Sequence, residues 1–193
     1  MLLAAIAWSQ EPTRAGVQPH FDARKQTTEY TGPAEQRLEL GQVSEIRIGY
    51  FGPSDSDDPV FGPMWHAAQA AVDIANRGNG LQGKPFRLIP AWSKDPWGTG
   101  VKQLTQLVYQ QHVWAIVGGP DGPSTHLAEQ VVAKARLALV SPVSTDKTVN
   151  LANVPWMFSL APGYHLIAKS LAPDIAETVG TNRFVVVSAN DHD

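Results

Sequence analysis

From residue 45 onward, short apolar runs alternate with segments whose apolar residues recur every three or four positions. Residues 46–51 form a β-rich run that Gly52 and Pro53 stop. Residues 64–76 are alanine-rich and predict a helix, with Ala67, Ala71, Ile74 and Ala75 on one stripe and Gly78 and Gly80 ending it. The alternation then repeats. Strands are predicted at 86–92, 113–117 and 137–140. A helix at 101–111 carries Val101, Leu104, Leu107 and Val108 on one face, and a helix at 124–136 carries Leu127, Val131 and Ala135. Strand and helix in strict alternation predict a doubly wound α/β layer, a parallel sheet joined by right-handed crossovers. Strands with little polar alternation fit a sheet covered on both faces. Past residue 141 the rhythm loosens. A polar loop runs to 155, a strand is predicted at 156–160, and a helix at 163–179 must be kinked or interrupted at Pro173. Residues 183–187 predict a further strand, and the chain reads as cut short soon after it. Before residue 45 the sequence is polar and aperiodic, an extension with one short helix expected near 34–38.

The totals are those of a globular protein: of 193 residues, 43% are hydrophobic and 17% charged. A net charge of −3 without a basic stripe argues against nucleic acid as a partner. The absence of cysteine removes disulfides, thiolate metal sites and cysteine nucleophiles, and leaves the compartment open. No run of about 18 apolar residues occurs, so no membrane-spanning helix is expected. Residues 1–8 are apolar and contain Ala5-Ile6-Ala7, a small-x-small pattern, with no Lys or Arg before it. That segment is either the remnant of an export signal or an ordinary ragged terminus.

In a parallel sheet the strand-to-helix loops share one edge, where ligands bind. The loops so gathered are 52–63, 93–99, 118–124 and 141–145. They offer hydroxyls, glycines and helix N-termini. The third, Gly118-Gly119-Pro120-Asp121-Gly122-Pro123-Ser124-Thr125, opens a helix. Its backbone N–H groups and the Ser124 and Thr125 hydroxyls suit an anion such as a carboxylate. Equally, the glycines can simply shape the turn while Ser124 or Thr125 caps the helix. The loop is neither a dinucleotide fingerprint nor a Walker loop. The fourth loop, with Ser141, Ser144 and Thr145, repeats the hydroxyl pattern. Ser124 and His126 lack the closing glycine of a hydrolase elbow, and His126 is expected as a surface helix residue. Asp55, Asp57 and Asp58 resemble part of a calcium loop without the rest of it, so a solvated loop is expected. Trp92 and Trp97 flank the second loop, either as an apolar wall over a ligand or packed on the rim.

The order of these motifs resembles the type I periplasmic solute-binding proteins, which include the branched-chain amino-acid receptors of ABC transporters. Asn76-Arg77-Gly78-Asn79-Gly80-Leu81-Gln82-Gly83-Lys84-Pro85 resembles their N-x-G-G-I-x-G-(K/R)-P segment. Residues 113–119 resemble their V-x-A-I-I-G-G strand, and Leu139-Val140-Ser141-Pro142-Val143-Ser144-Thr145 their I-S-P strand. Trp156-Met157-Phe158 resembles the strand leading to their second lobe, and residues 184–188 that lobe's first strand. The resemblance implies an extension at 1–44, a first lobe at 45–155, and the crossover and incomplete start of a second lobe at 156–193. It implies a non-enzymatic, extracytoplasmic binder of a small polar ligand, an amino acid or related metabolite in chemical class, held between two lobes. No cofactor or metal is implied; the partners implied are the ligand and a transporter permease, and a monomer is expected. Third- and fourth-loop groups hold the carboxylate in that family. This places Gly122, Ser124, Thr125, Ser144 and Thr145 at the site, with Trp97 beside it. Thr145 matches the fourth-loop hydroxyl, whereas Gly122 stands where a serine is common. A sensor ectodomain of the same fold, or an enzyme on a flavodoxin-like layer, are the alternatives.

Overall fold

A computed structural model describes residues 30, 32–34, 39–92, 96–180, 185 and 187. Its elements, in chain order, are β1 (Ile46–Phe51), α1 (Gly62–Arg77), β2 (Phe86–Ala91), α2 (Val101–Tyr109), β3 (Ala115–Gly118), α3 (Gly122–Ala135), β4 (Ala138–Ser141), β5 (Met157–Ser159) and α4 (Tyr164–Val179). A π-helical turn at Pro96–Gly100 leads into α2. The five strands form one sheet in the order β2-β1-β3-β4-β5, with every neighbouring pair parallel. Strand order reverses between β1 and β3, the place where an open α/β sheet forms its crevice. The expected doubly wound α/β layer is therefore present.

Most of the buried apolar surface lies on one face of the sheet. Phe51, Ile116 and Leu139 point from the strands toward Leu104, Leu107 and Val108 of α2 and Leu127, Ala128, Val132 and Ala135 of α3. The stripes expected on α2 and α3 are those that pack, apart from Val101, which is 40% exposed. The other face carries α1, where Trp65 stacks on Tyr50 with ring centroids 4.8 Å apart. Burial raises the Tyr50 hydroxyl to about 12, so it stays a neutral phenol that donates to the Pro53 carbonyl at 3.3 Å. Burial on β3 and β4 alternates between buried and half-buried residues, so cover on both faces is complete only along part of the sheet.

One expectation needs correction. The inward side of α1 runs through Met64, Trp65, Ala68, Val72, Ala75 and Asn76, while Ala67, Ala71 and Ile74 are exposed. Alanines fall on both the inward and the exposed side of this helix, so their spacing marks no face. Trp65 and Asn76 decide the rotation, Asn76 by bracketing the Phe86 backbone at 2.7 and 2.9 Å. Helix α4 is continuous through Pro173, so of the expected kink or interruption the interruption does not occur. The ring deprives Lys169 of its usual helical donor, but this helix buries none of its residues and water reaches its backbone. The helix expected near 34–38 and the strand expected at 183–187 fall largely outside the described residues, as do residues 1–29. No described helix is long and apolar enough to cross a membrane.

Candidate functional site

The C-terminal ends of β1, β3 and β4 lie side by side, because Phe51 is in register with Gly118 and Val117 with Val140. The loops that follow them therefore share one rim. Gly119 donates its N–H to the Phe51 carbonyl at 2.9 Å, tying the third loop to β1. The Thr125 and Ser141 hydroxyls stand 3.4 Å apart, tying the third loop to the fourth.

At the start of α3, Asp121 is the N-cap. Its carboxylate accepts from the Ser124 N–H at 2.8 Å and from the Ser124 hydroxyl at 2.5 Å, and the Ser124 oxygen accepts from the Asp121 N–H at 3.3 Å. The Thr125 hydroxyl donates to the carbonyls of Asp121 at 2.6 Å and Gly119 at 3.1 Å. Ser124 and Thr125 are fully buried, and both hydroxyls are engaged in shaping the turn. Pro123 has no N–H, Ser124 N–H is capped, and Thr125 N–H reaches the Asp121 carbonyl at 3.1 Å. This leaves the Gly122 amide as the N–H of the first turn without an acceptor among the described residues. Asp121→Ala is expected to cost about 1 kcal/mol and to lower the exchange protection of the Ser124 and Thr125 amides before that of the sheet. Unchanged protection there would show that the cap does not hold the turn.

In the fourth loop Ser144 is 2% exposed, yet its hydroxyl has no hydrogen-bond partner among the described residues. A buried unsatisfied hydroxyl costs about 1–3 kcal/mol. Thr145 beside it is exposed, and its carbonyl accepts from Tyr164 N–H at 2.7 Å, which joins the rim to the start of α4. Trp92 packs on the core, its ring 5.4 Å from that of Phe51. Trp97 lies in the π-helical turn that leads into α2. It lines a cavity of about 570 Å³ on the outer flank of α3, with His126, Glu129, Thr148 and Met157 among its neighbours.

His126 is not the surface residue expected from its position. Its side chain is mostly buried, with Nδ1 2.9 Å from Glu129 Oε2 and Nε2 2.7 Å from Asp146 Oδ2. Asp146 Oδ1 accepts from the Thr148 N–H and hydroxyl, both at 2.8 Å. Glu129 Oε1 accepts from the Asn150 N–H. Burial works to lower the His126 pKa, but hydrogen bonds and charge from Asp146 and Glu129 outweigh it and hold it above the ordinary value. Burial likewise works to raise Asp146, and Thr148 and His126 together bring it below the usual carboxylate range. Helical spacing places Glu129 one turn from His126; nothing in the sequence signals that Asp146 closes the group from the far side of β4. Among the described residues no cluster of His, Cys, Asp and Glu has the makings of a metal site.

Residues 45–193 match the family described as periplasmic binding protein. An amino acid binding protein of Pseudomonas aeruginosa is 27% identical over 124 residues, which are 64% of this chain and 33% of that protein. An ABC transporter substrate-binding protein of Desulfitobacterium hafniense, solved with Leu, shares 26% identity with a TM-score of 0.61, over 69% of this chain and 39% of its own. The branched-chain amino acid transporter substrate-binding protein LivJ of Streptococcus pneumoniae, solved with isoleucine, matches at 24% identity and a TM-score of 0.63, over 70% of this chain and 39% of its own. The chain thus spans between a third and two fifths of the length of these relatives.

Proposed function

This chain belongs to the periplasmic binding protein family, and from that premise we propose that it serves outside the cytoplasm as a solute-binding component of an ABC transporter. In this reading the rim of the α/β layer holds the carboxylate of a small amino acid. The Gly122 amide, the Ser144 hydroxyl and the Thr145 hydroxyl make the contacts. Ser124 and Thr125 act at one remove, by fixing the turn that presents Gly122.

The observation that carries this reading is the buried Ser144 hydroxyl, with no partner among the described residues, set on the same rim as the Gly122 amide. A carboxylate there would accept two hydrogen bonds and meet the positive end of α3, which suits an anion. The substrates named for the relatives, an amino acid and leucine, carry that group. Binding without chemical change fits the state of His126, whose two ring nitrogens are both taken by carboxylates. A permease partner and a monomeric state are part of the same proposal.

Titration of the isotope-labelled chain with L-leucine tests it. L-leucine is expected to shift the amide resonances of Gly122, Ser144 and Thr145, while L-leucinamide, which lacks the carboxylate, leaves them in place. Equal shifts with both compounds, or no response to any of the common amino acids, would overturn the proposal.

A further inference from the structure

His126 lies outside the hydrogen bonds that form the rim, yet it holds the loop that carries them. Its ring nitrogens meet one carboxylate from each side: Glu129 from α3 itself, and Asp146 from the loop between β4 and β5. Asp146 follows Thr145 directly in the chain and stands two residues from Ser144. The group is well shielded, with side-chain exposures of 19% for His126, 13% for Glu129 and 5% for Asp146.

Ionised carboxylates only accept hydrogen bonds. Two of them, one at each ring nitrogen, are both satisfied only when both nitrogens carry protons. The neutral ring has one N–H and would turn a lone pair toward the other carboxylate. The Thr148 hydroxyl, 2.9 Å from Nε2, already donates to Asp146 Oδ1 at 2.8 Å. Its oxygen can share the Nε2 proton but does not replace it. Lys147 does not join the group; its ammonium lies 5.8 Å from the centre of the Tyr164 ring.

We infer that His126 is a positioning residue of the rim, a proton-dependent latch that ties the Ser144–Thr145 loop to α3 and slackens when the imidazolium loses its proton. The latch is a property of the chain alone; its effect on a ligand rests on the function proposed above. The pH sense follows from the histidine. Its pKa is raised on folding, so the latch contributes fully below the ordinary histidine value of about 6.5 and is lost as pH rises through the higher folded value. At the acid end Asp146 sets the limit. Its pKa is lowered, so its share holds above the ordinary carboxylate range and fails as pH falls through the lower folded value.

Amide hydrogen exchange of the full 193-residue chain, corrected for the intrinsic pH dependence of exchange, reads the latch directly. The amides to follow are those of Thr148 and Asn150, which donate to the two carboxylates, with Leu139 in the sheet as control. Between about pH 6 and pH 9 the protection of Thr148 and Asn150 is expected to fall roughly tenfold, the worth of one charge-assisted hydrogen bond, while Leu139 holds. In His126→Gln the protection should be low at both ends and no longer depend on pH. Protection that does not change with pH in the unaltered chain, or that falls equally in His126→Gln, overturns the inference. If His126→Gln does not fold, the pH profile of the unaltered chain and an NMR titration of the His126 ring decide alone. A ring that titrates at or below the ordinary histidine value sinks the latch. L-leucine affinity, followed over the same range, should drop by the same factor. Absence of leucine binding at every pH would count against the ligand reading and leave the exchange result to judge the latch.

Discussion

Gly118→Ala is expected to destabilise the chain by about 3 kcal/mol or more, seen as a fall of roughly 10 °C in the thermal midpoint. Gly118 ends β3 with φ +150°, a backbone conformation that side-chain-bearing residues rarely adopt. A Cβ there would lie 2.1 Å from the Phe51 carbonyl oxygen and 2.7 Å from its carbon. Both atoms are backbone in the strand paired with β3, so no side-chain rotation relieves the contact. The strands would have to part at the point where their order reverses, and the rim would open with them. Gly41→Ala is the control, since a Cβ at that position meets nothing within 4 Å. A Gly118→Ala midpoint within about 2 °C of that control would show that the strand ends are more pliable than their packing implies.

Ser144→Ala is expected to move stability and binding in opposite directions. The side chain is buried, and its hydroxyl has no partner among the described residues. Removing that hydroxyl abolishes a desolvation cost of about 1 kcal/mol or more and leaves a void smaller than a water molecule. Denaturant unfolding should therefore show the variant as stable as the parent or more so. If the hydroxyl donates to a ligand carboxylate, the same change removes a hydrogen bond to a charged group, worth about 1.5–3 kcal/mol. L-leucine affinity, measured by NMR titration, should then fall at least about tenfold. A loss of stability with unchanged affinity would place Ser144 in the framework and remove it from the site.

Much of the architecture was legible because its signals are local. The apolar runs at 46–51, 113–117 and 137–140 and the stripes on α2 and α3 need only near neighbours to declare themselves, and each corresponds to an observed strand or helix. Loops following parallel strands must share an edge, so the meeting of the third and fourth loops was also legible. The rotation of α1 was not, because its alanines fall on both the inward and the exposed side and offer no contrast between them.

By itself the sequence determined that a parallel α/β layer forms, that its hydroxyl- and glycine-bearing loops gather at one rim, and which family the motif order resembles. The tertiary structure alone decided what each polar group in that rim does. Ser124 and Thr125 turn inward to their own loop, Ser144 is buried with no partner among the described residues, and His126 finds Asp146 in the loop after β4. The physical reason is that a hydroxyl or an imidazole has one identity in the sequence but several accessible partners. Which one it takes is settled by distances of a few tenths of an ångström between elements that only packing brings together.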